Sequence, residues 1–202
     1  DVFTLIGPKK YDVPWKELEA KSWIAEATCF EVRVPLAGAA REAYAFAEER
    51  AKFRIAAENP AKEELVRALL RHHRGDRVLV IGAYVEQLEK LAGELGAPLI
   101  TGRTSTGRRE ELFSAFRSGA INVLVVSKVA NFAIDLPDAN VAIEISGTFG
   151  SRQEEAQRLG RLLRPKPGAN QALFYTLVSR DSREQEFAAR RQRFLAEQGY
   201  LY

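Results

Sequence analysis

Apolar runs alternate with stretches of helical periodicity from residue 77 onward. The runs that predict strands are RVLVIGA (77–83), PLIT (98–101), INVLVVS (121–127), NVAIEIS (140–146) and QALFYTLVS (171–179). The stretches in which apolar residues recur at helical spacing are 84–96, 104–119 and roughly 182–198. Strand and helix that alternate in this way favour an α/β fold, with a parallel sheet covered by helices on both faces.

The residues before 77 follow a different pattern. GPKKYDVPWKEL (7–18) indicates an irregular connector into a short helix, and TCFEVRVPL (28–36) indicates one strand. An alanine-rich helix is predicted from 37 to roughly 58, and Asn59-Pro60, a cap followed by a first-turn proline, begins the next helix. We therefore expect a connector with a small helical appendage over residues 1–74 and a larger α/β domain over 75–202.

The loops that follow the predicted strands are rich in small hydroxyl residues, glycines and cations. In parallel sheets, ligands bind at the edge where the strands end. Each loop alone is equally well explained as an ordinary turn, but together they suit the binding of phosphate groups. The loops in question are Ala83-Tyr84, Thr101-Gly102-Arg103-Thr104, Ser127-Lys128 and Ser146-Gly147-Thr148.

Three arginines are concentrated in QRLGRLLRP, a stretch that ends at Pro165. A capping box at 151–154 predicts the start of its helix, and the proline predicts the end. At about 100° per residue, Gln157, Arg161 and Arg164 fall on one stripe, while the leucines fall on another. The stripe is explained either as a solvated face near a helix end or as a binding site for an anion, because the planar guanidinium group suits phosphate.

Composition allows one large domain, or a domain with a small appendage, in 202 residues of which 46% are hydrophobic. A net charge of +3 is compatible with binding to nucleic acid but too small to predict it alone. The single cysteine, Cys29, excludes an internal disulfide, and the apolar runs are too short to span a membrane. We expect a soluble cytoplasmic protein, associated with the nucleoid if its source is prokaryotic.

Two further features concern the chain end and metal binding. Methionine is absent and Asp1 leads directly into an apolar run, which suggests a piece of a longer chain. His72 and His73 close a predicted helix before Gly75, where their charge suits the negative helix end. Adjacent helical residues point in different directions, so a metal site is not expected there.

Two long stretches resemble motifs V and VI of superfamily 2 helicases, and in detail the XPB family of DNA helicases. They are SKVANFAIDLPDANVAI (127–143) and SGTFGSRQEEAQRLGRLLRP (146–165). The resemblance extends over FTLIGPKKYDVPWKEL (3–18), VLVIGAYVEQLEKLA (78–92), which is similar to motif IV, and PLITGRTSTGRREELFSAF (98–116). It implies a RecA-like fold, and it places residues 37–73 where XPB proteins insert a thumb-like element against DNA.

The resemblance implies roles at an ATP site for four residues. Arg161 and Arg164 match the arginines that reach the γ-phosphate from the second motor domain, and Gln157 would help to position them or the attacking water. Asp135 matches the motif V acid that contacts the nucleotide ribose in relatives. From the residues alone, Asp135 is also explained as a loop-capping aspartate before Leu136-Pro137.

Contacts with the DNA backbone are implied for residues in two loops. Ser127 and Lys128 match positions near the DNA, and Thr101, Gly102 and Thr104 would add further contacts. One departure concerns motif V, where Ala130 and Asn131 stand in place of the Gly-Asp of many XPB proteins. A carboxylate that would couple motif V to the first motor domain is therefore missing.

The chain lacks a G-x-x-x-x-G-K-[ST] loop and an Asp-Glu box. The family resemblance therefore implies the second motor domain of an ATP-dependent 3′-5′ DNA helicase or translocase, inactive by itself, with ATP and Mg²⁺ held mainly by the first domain. Implied partners are DNA, the first RecA-like domain, and a repair nuclease or a transcription-repair complex, without a membrane. The alternative is a non-catalytic RecA-like module that binds nucleic acid or a repair partner.

Overall fold

The computed structural model describes residues 15–21, 23, 26–127, 139–147 and 171–197. Its strands are β1 (Glu26–Val34), β2 (Val78–Gly82), β3 (Leu99–Ile100), β4 (Val123–Ser127), β5 (Val141–Glu144) and β6 (Gln171–Ser179). Its helices are α1 (Trp15–Ala20), α2 (Gly38–Phe46), α3 (Glu49–Ala57), α4 (Pro60–His72), α5 (Val85–Leu95), α6 (Thr106–Ser118) and α7 (Arg183–Glu197).

The six strands form one sheet in the order β1-β6-β5-β2-β4-β3, and every neighbouring pair is parallel. Apolar runs with turn residues on either side had predicted each of these strands, so the predicted parallel sheet is confirmed. All six strands run in the same direction, and their carboxyl ends therefore lie along one edge of the sheet, here called the carboxyl edge.

Helices cover both faces of the sheet, as predicted. On one face, Leu88 and Leu91 of α5 and Val66 of α4 are fully buried against β2, β4 and β5. On the other face, Phe113 and Phe116 of α6 pack against apolar residues of β2, β3 and β4. The central strands are hydrophobic at almost every position because both of their faces are buried.

Local signals determine the ends of several helices. The side chain of Asn59 accepts a hydrogen bond of 3.2 Å from the Ala61 N–H, and Pro60 occupies the first turn of α4, as predicted. α5 ends at Gly96, whose φ of 61° is in the left-handed region that glycine adopts without strain. Such signals act within a few residues, which explains why the sequence predicts these boundaries.

The alanine-rich stretch predicted as one helix forms two, α2 and α3. The chain is extended at Ala47 and Glu48, with ψ values of 151° and 155°. No glycine or proline marks this break. α3 buries Phe53 and Ala56, whereas the structure buries no residue of α2. We infer that the packing of α3 sets its direction and separates it from α2.

Residues 26–72 contribute more to the sheet than the predicted organisation implied. β1 pairs with β6 along its whole length, from Glu26 opposite Gln171 to Val34 opposite Ser179, and α4 lies in the core. The domain boundary expected after residue 74 stays a prediction. In the structure, β1 belongs to the sheet and α4 packs against it, although both precede that boundary. The partner of β1 is distant in sequence, so local patterns did not reveal the pairing.

Candidate nucleic-acid interface

Two of the predicted phosphate-binding loops meet at the carboxyl edge. β3 and β4 are neighbours, with Ile100 opposite Val126. The next residues along each strand are Thr101 and Ser127, which are therefore brought together. The structure thus joins two sequence predictions that are far apart in the chain.

The Thr101–Thr104 loop is held in shape by its own hydroxyl groups. The Thr101 N–H donates to Thr104 Oγ1 at 2.9 Å, and the Arg103 N–H donates to Thr101 Oγ1 at 3.2 Å. Each threonine oxygen acts as an acceptor in these bonds, so each hydroxyl keeps its proton for donation. Thr101 is buried whereas Thr104 is half-buried, so Thr104 is the ordered hydroxyl donor of the loop that a phosphate oxygen is able to reach.

The side chain of Arg109 in α6 holds the backbone of this loop. Its Nη2 donates to the carbonyl oxygens of Thr101 at 3.0 Å and Gly102 at 3.2 Å. Sequence analysis did not single out Arg109, because it appeared as one of several cations on a predicted helix. The sequence did offer one signal, because Arg109 lies one helical turn after the capping residue Ser105 and therefore close to the loop that precedes the helix.

Ser127 lies in the interior. Its side chain is 1% exposed, and its Oγ has no hydrogen-bond partner among the described residues. β4 places it opposite Gly82 of β2. Burial argues against a direct contact between the Ser127 hydroxyl and DNA, and the predicted contact with Ser127 stays a prediction.

The ends of β2 and β5 are packed closely together at the carboxyl edge. The Ala83 N–H donates to Ser146 Oγ at 2.8 Å. A Cβ atom at Gly82 would lie 2.8 Å from Leu88 Cδ2 and 3.1 Å from Ile145 Cγ2. A side chain at residue 82 would therefore force Leu88 of α5 and Ile145, the residue after β5, to shift.

A buried ion pair supports the same region. Lys62 of α4 donates to the two carboxylate oxygens of Glu184 at 2.8 and 2.6 Å, and to the carbonyl oxygen of Ile145 at 3.2 Å. Glu184 also accepts from the Ser179 N–H at 2.8 Å. One ammonium group thus connects α4, α7 and the residue that follows β5. Sequence analysis missed this pair, because both residues look like ordinary helix-surface charges.

Tyr84 lies just beyond β2 at this edge. Burial raises the pKa of its hydroxyl above the ordinary value, and the negative charge of Glu58 adds to the rise. Arg54 lies over the Tyr84 ring at 5.6 Å from its centroid and pairs with both Glu58 and Glu86. We infer that Tyr84 is neutral at physiological pH. Its ring contacts Arg54 of α3, and α5 begins at the next residue.

Among the described residues, no group of three or more His, Cys, Asp or Glu side chains is placed to hold a metal ion. His73 Nδ1 lies 3.1 Å from Asp76 Oδ2, and Nε2 lies 3.0 Å from the Tyr175 hydroxyl. Both ring nitrogens of His73 are therefore engaged within the protein. His72 is exposed at the end of α4.

Several predicted site residues lie outside the described residues. They are Lys128, Ala130, Asn131, Asp135, Gln157, Arg161 and Arg164, together with the predicted helix that ends at Pro165. The roles given to them stay predictions. Of the predicted site residues, the structure describes Thr101, Gly102, Thr104 and Ser127.

A family model described as ERCC3/RAD25/XPB C-terminal helicase matches residues 18–202. The chain belongs to this family. The match confirms the resemblance inferred from motifs V and VI, and it includes residues 128–138 and 148–170, which lie outside the described ranges.

Relatives match over the complete chain. It is 59% identical over 202 residues to the DNA 3′-5′ helicase XPB of Kineococcus radiotolerans and 58% identical to that of Mycobacterium tuberculosis. It is 41% identical to the XPB subunit of general transcription and DNA repair factor IIH of Drosophila melanogaster. The chain spans 36%, 37% and 26% of the length of these proteins.

Solved structures support the fold alone. The C-terminal domain of the DEAD-box protein Dbp5 matches with a TM-score of 0.60 and 18% identity, over 67% of this chain and 79% of that chain. The Escherichia coli DEAD-box protein SrmB matches with a TM-score of 0.57 and 24% identity, over 66% and 78%. The predicted RecA-like architecture is confirmed. Among the described residues, no helix is sufficiently long and apolar to cross a membrane.

Proposed function

We propose that this chain is the second motor domain of an ATP-dependent 3′-5′ DNA helicase or translocase. The family match over residues 18–202 carries this proposal. The match of all 202 residues of this chain to about a third of proteins named DNA 3′-5′ helicase XPB supports it, and the fold of the described residues agrees with it. A parallel sheet that carries loops along one edge is suited to holding DNA and a nucleotide close together.

On the nucleotide side, Arg161 and Arg164 stabilise the charge that develops on the γ-phosphate, and Gln157 positions the arginines or the attacking water. Asp135 contacts the ribose. ATP and Mg²⁺ are held mainly by a first RecA-like domain, because this chain has no phosphate-binding loop of its own. When bound, Mg²⁺ neutralises charge on the phosphates. These residues lie outside the described ranges, and their roles rest on the motifs.

On the DNA side, the Thr101–Thr104 loop contacts the phosphate backbone through Gly102 and Thr104 at its surface, together with Lys128. Thr101 and Ser127 are buried and contribute through the positions that they give the ends of β3 and β4. The bonds within the Thr101–Thr104 loop and the support from Arg109 support this proposal, because they order the loop before DNA arrives. Contacts with phosphates alone are independent of base sequence. A motor that steps along DNA of any sequence needs contacts of this kind.

The intact protein contains a further motor domain and assembles with other proteins in this proposal. We propose that residues 75–202 form the main part of the motor domain, with α4 packed against its sheet, and that the α2–α3 part of residues 37–73 forms a thumb-like element. The first RecA-like domain closes the ATP site. A repair nuclease or a transcription-repair complex is the proposed assembly partner. The XPB relative from Drosophila melanogaster is named as a subunit of a transcription and DNA repair factor, which supports a complex of the second kind.

The test compares the full-length protein with this chain alone. We expect DNA-stimulated ATP hydrolysis from the full-length protein and none from the chain alone, because the phosphate-binding loop is absent here. Phosphate release is measured with and without duplex DNA. A full-length protein that binds DNA but hydrolyses no ATP under any of these conditions would be a binding module rather than a motor.

A further inference from the structure

The chain leaves the sheet earlier at β5 than at the neighbouring β6. The pairing of β5 with β6 ends with Glu144 opposite Thr176, whereas β6 continues beside β1 as far as Ser179. Residues 145–147, here called the exit segment, follow β5 and are buried, and they precede QRLGRLLRP (157–165) in the sequence. A buried segment that no longer pairs with β6 needs other partners for its backbone groups, and these partners fix the direction in which the chain leaves the sheet.

Hydrogen bonds from β2 and from α4 hold the exit segment. The Ile145 N–H donates to the carbonyl oxygen of Ile81 in β2 at 2.9 Å. The Ser146 Oγ accepts from the Ala83 N–H at 2.8 Å. From α4, the Lys62 ammonium group donates to the Ile145 carbonyl oxygen at 3.2 Å. A strand and a helix therefore fix the position of the same two residues.

The direction of the Lys62 side chain is set by its ion pair. An ammonium group has three N–H donors, and this one contacts three acceptors. Two of them are the carboxylate oxygens of Glu184, and the third is the carbonyl oxygen of Ile145. Glu184 also accepts from the Ser179 N–H, where β6 ends. The carboxylate thus holds the ammonium group in place, with one donor aimed at the exit segment.

Stability alone does not explain a charged pair at this place, where both side chains are 0% exposed. Apolar residues that replace a buried ion pair often leave a protein equally stable or more stable, because the two charges lose their hydration in the folded state. In some proteins, buried charges instead select one arrangement of the chain among several. Lys62 and Glu184 are suited to this second role, because the ammonium group also contacts the residue at which the chain leaves β5.

We propose that Lys62 is a positioning residue for ATP hydrolysis. It holds the exit segment, and the exit segment sets the start of the part of the chain that carries Arg161 and Arg164. The inference rests on the proposed function, which assigns these two arginines to the γ-phosphate. The exit segment lies at the carboxyl edge, where parallel sheets bind their ligands. Contacts with a transition state depend on accurate placement, and a misplacement of about 1 Å by a distant change costs roughly a hundredfold in rate.

The test measures DNA-stimulated ATP hydrolysis by the full-length protein with the Lys62→Met/Glu184→Gln double variant. This variant removes the buried charges together, so that neither is left without its partner, and it loses the bond to the Ile145 carbonyl oxygen. We expect kcat to fall roughly ten- to a hundredfold. KM for ATP and the affinity for DNA should equal those of the wild type, because ATP is held mainly by the first domain and the Thr101–Thr104 loop follows β3. Circular dichroism at the assay temperature verifies that each variant is folded.

Val66→Ala is the matched control. Val66 is fully buried and lies one helical turn after Lys62 in α4, so its truncation loosens the packing of the same helix but leaves the bond from Lys62 to Ile145. The folded control should keep the kcat of the wild type. Ser146→Ala is a second variant of the exit segment, because it removes the bond from the Ala83 N–H. It should lower kcat in the same direction and leave KM for ATP unchanged.

Wild-type kcat in the folded double variant would overturn the proposal. An equal loss of kcat in Val66→Ala would overturn it as well, because the loss would then come from the packing of α4. If the double variant does not fold, Ser146→Ala decides, and wild-type kcat in that variant would show that the position of the exit segment does not matter. A wild-type protein without DNA-stimulated ATP hydrolysis would instead reject the proposed function, and this inference with it.

Discussion

Lys62 and Glu184 are 122 positions apart in the sequence, yet the ammonium group of the first contacts both carboxylate oxygens of the second. Both side chains are 0% exposed. Charges in the interior lose their hydration, and here each charge is compensated by the other at hydrogen-bond distance. The pair therefore couples the folding of α4 to that of α7, at the edge where β5 and β6 end.

Removal of one partner should be strongly destabilising. We expect Lys62→Met to lower the free energy of unfolding by about 3–5 kcal/mol, because it leaves the Glu184 carboxylate buried without a counterion. The Lys62→Met/Glu184→Gln double variant should recover most of this loss, since the amide oxygen still accepts from the Ser179 N–H. Urea unfolding of the chain measures both. A single variant as stable as the wild type would show that the pair is dispensable.

Gly82→Ala tests the close packing of α5, and of the residues that follow β5, against the end of β2. The new methyl group would lie 2.8 Å from Leu88 Cδ2, so neighbouring atoms must shift. We expect a loss of about 1–3 kcal/mol, the usual cost of overpacking. Gly93→Ala in α5 is the control, because its Cβ would meet no atom within 4 Å. That variant should gain about 0.5–1 kcal/mol from helix propensity, and equal denaturation midpoints for the two variants would contradict the argument.

Alkaline pH should weaken the fold partly through Tyr175. Burial raises the pKa of its hydroxyl above the ordinary value of 10.0, and the nearby Asp76 carboxylate adds to the rise. Below the ordinary pKa, Tyr175 is protonated in both states and its contribution is constant. Above it, the unfolded chain loses the proton first, so the free energy of unfolding falls as the pH approaches the folded-state pKa.

Tyr175→Phe isolates this contribution. The variant loses the contact with His73, which lowers stability at neutral pH, but its stability should decline less steeply at alkaline pH than that of the wild type. The measurement is the denaturation midpoint across a series of alkaline buffers, with tyrosinate absorbance recorded in parallel. Identical slopes for the two proteins would mean that Tyr175 titrates normally. Tyr84 and Lys90, whose pKa values are also raised, contribute to the decline in the same direction.

Arg164→Ala should affect catalysis more than nucleotide binding in the full-length protein. A guanidinium group that meets charge developing in the transition state contributes roughly 10³- to 10⁵-fold to kcat, while KM for ATP changes much less. Arg161→Ala should behave similarly. Arg158→Ala is the control, because residue 158 lies about 100° around the predicted helix from Gln157. Equal losses of DNA-stimulated ATPase activity for Arg158→Ala and Arg164→Ala would show that the arginine stripe is only a solvated face.

Local sequence signals determined much of the architecture. Alternating strand and helix patterns predicted the parallel sheet, and Asn59-Pro60 predicted the start of α4, because periodicity and capping depend on residues a few positions apart. The loop at Thr101–Thr104 was identified in the same way, from small polar residues placed after a strand. The resemblance of two motifs predicted the family, without reference to any contact.

Tertiary structure decided the features that depend on distant partners. Three such features have no signal in the residues next to them in the sequence. They are the break at Ala47 and Glu48, the pairing of β1 with β6, and the Lys62–Glu184 ion pair. A surface-like charge becomes a buried one only when the helices around it pack, and an isolated strand shows no preference for one partner over another. The sequence encodes these arrangements through the sum of many long-range contacts, so they became visible only in the folded chain.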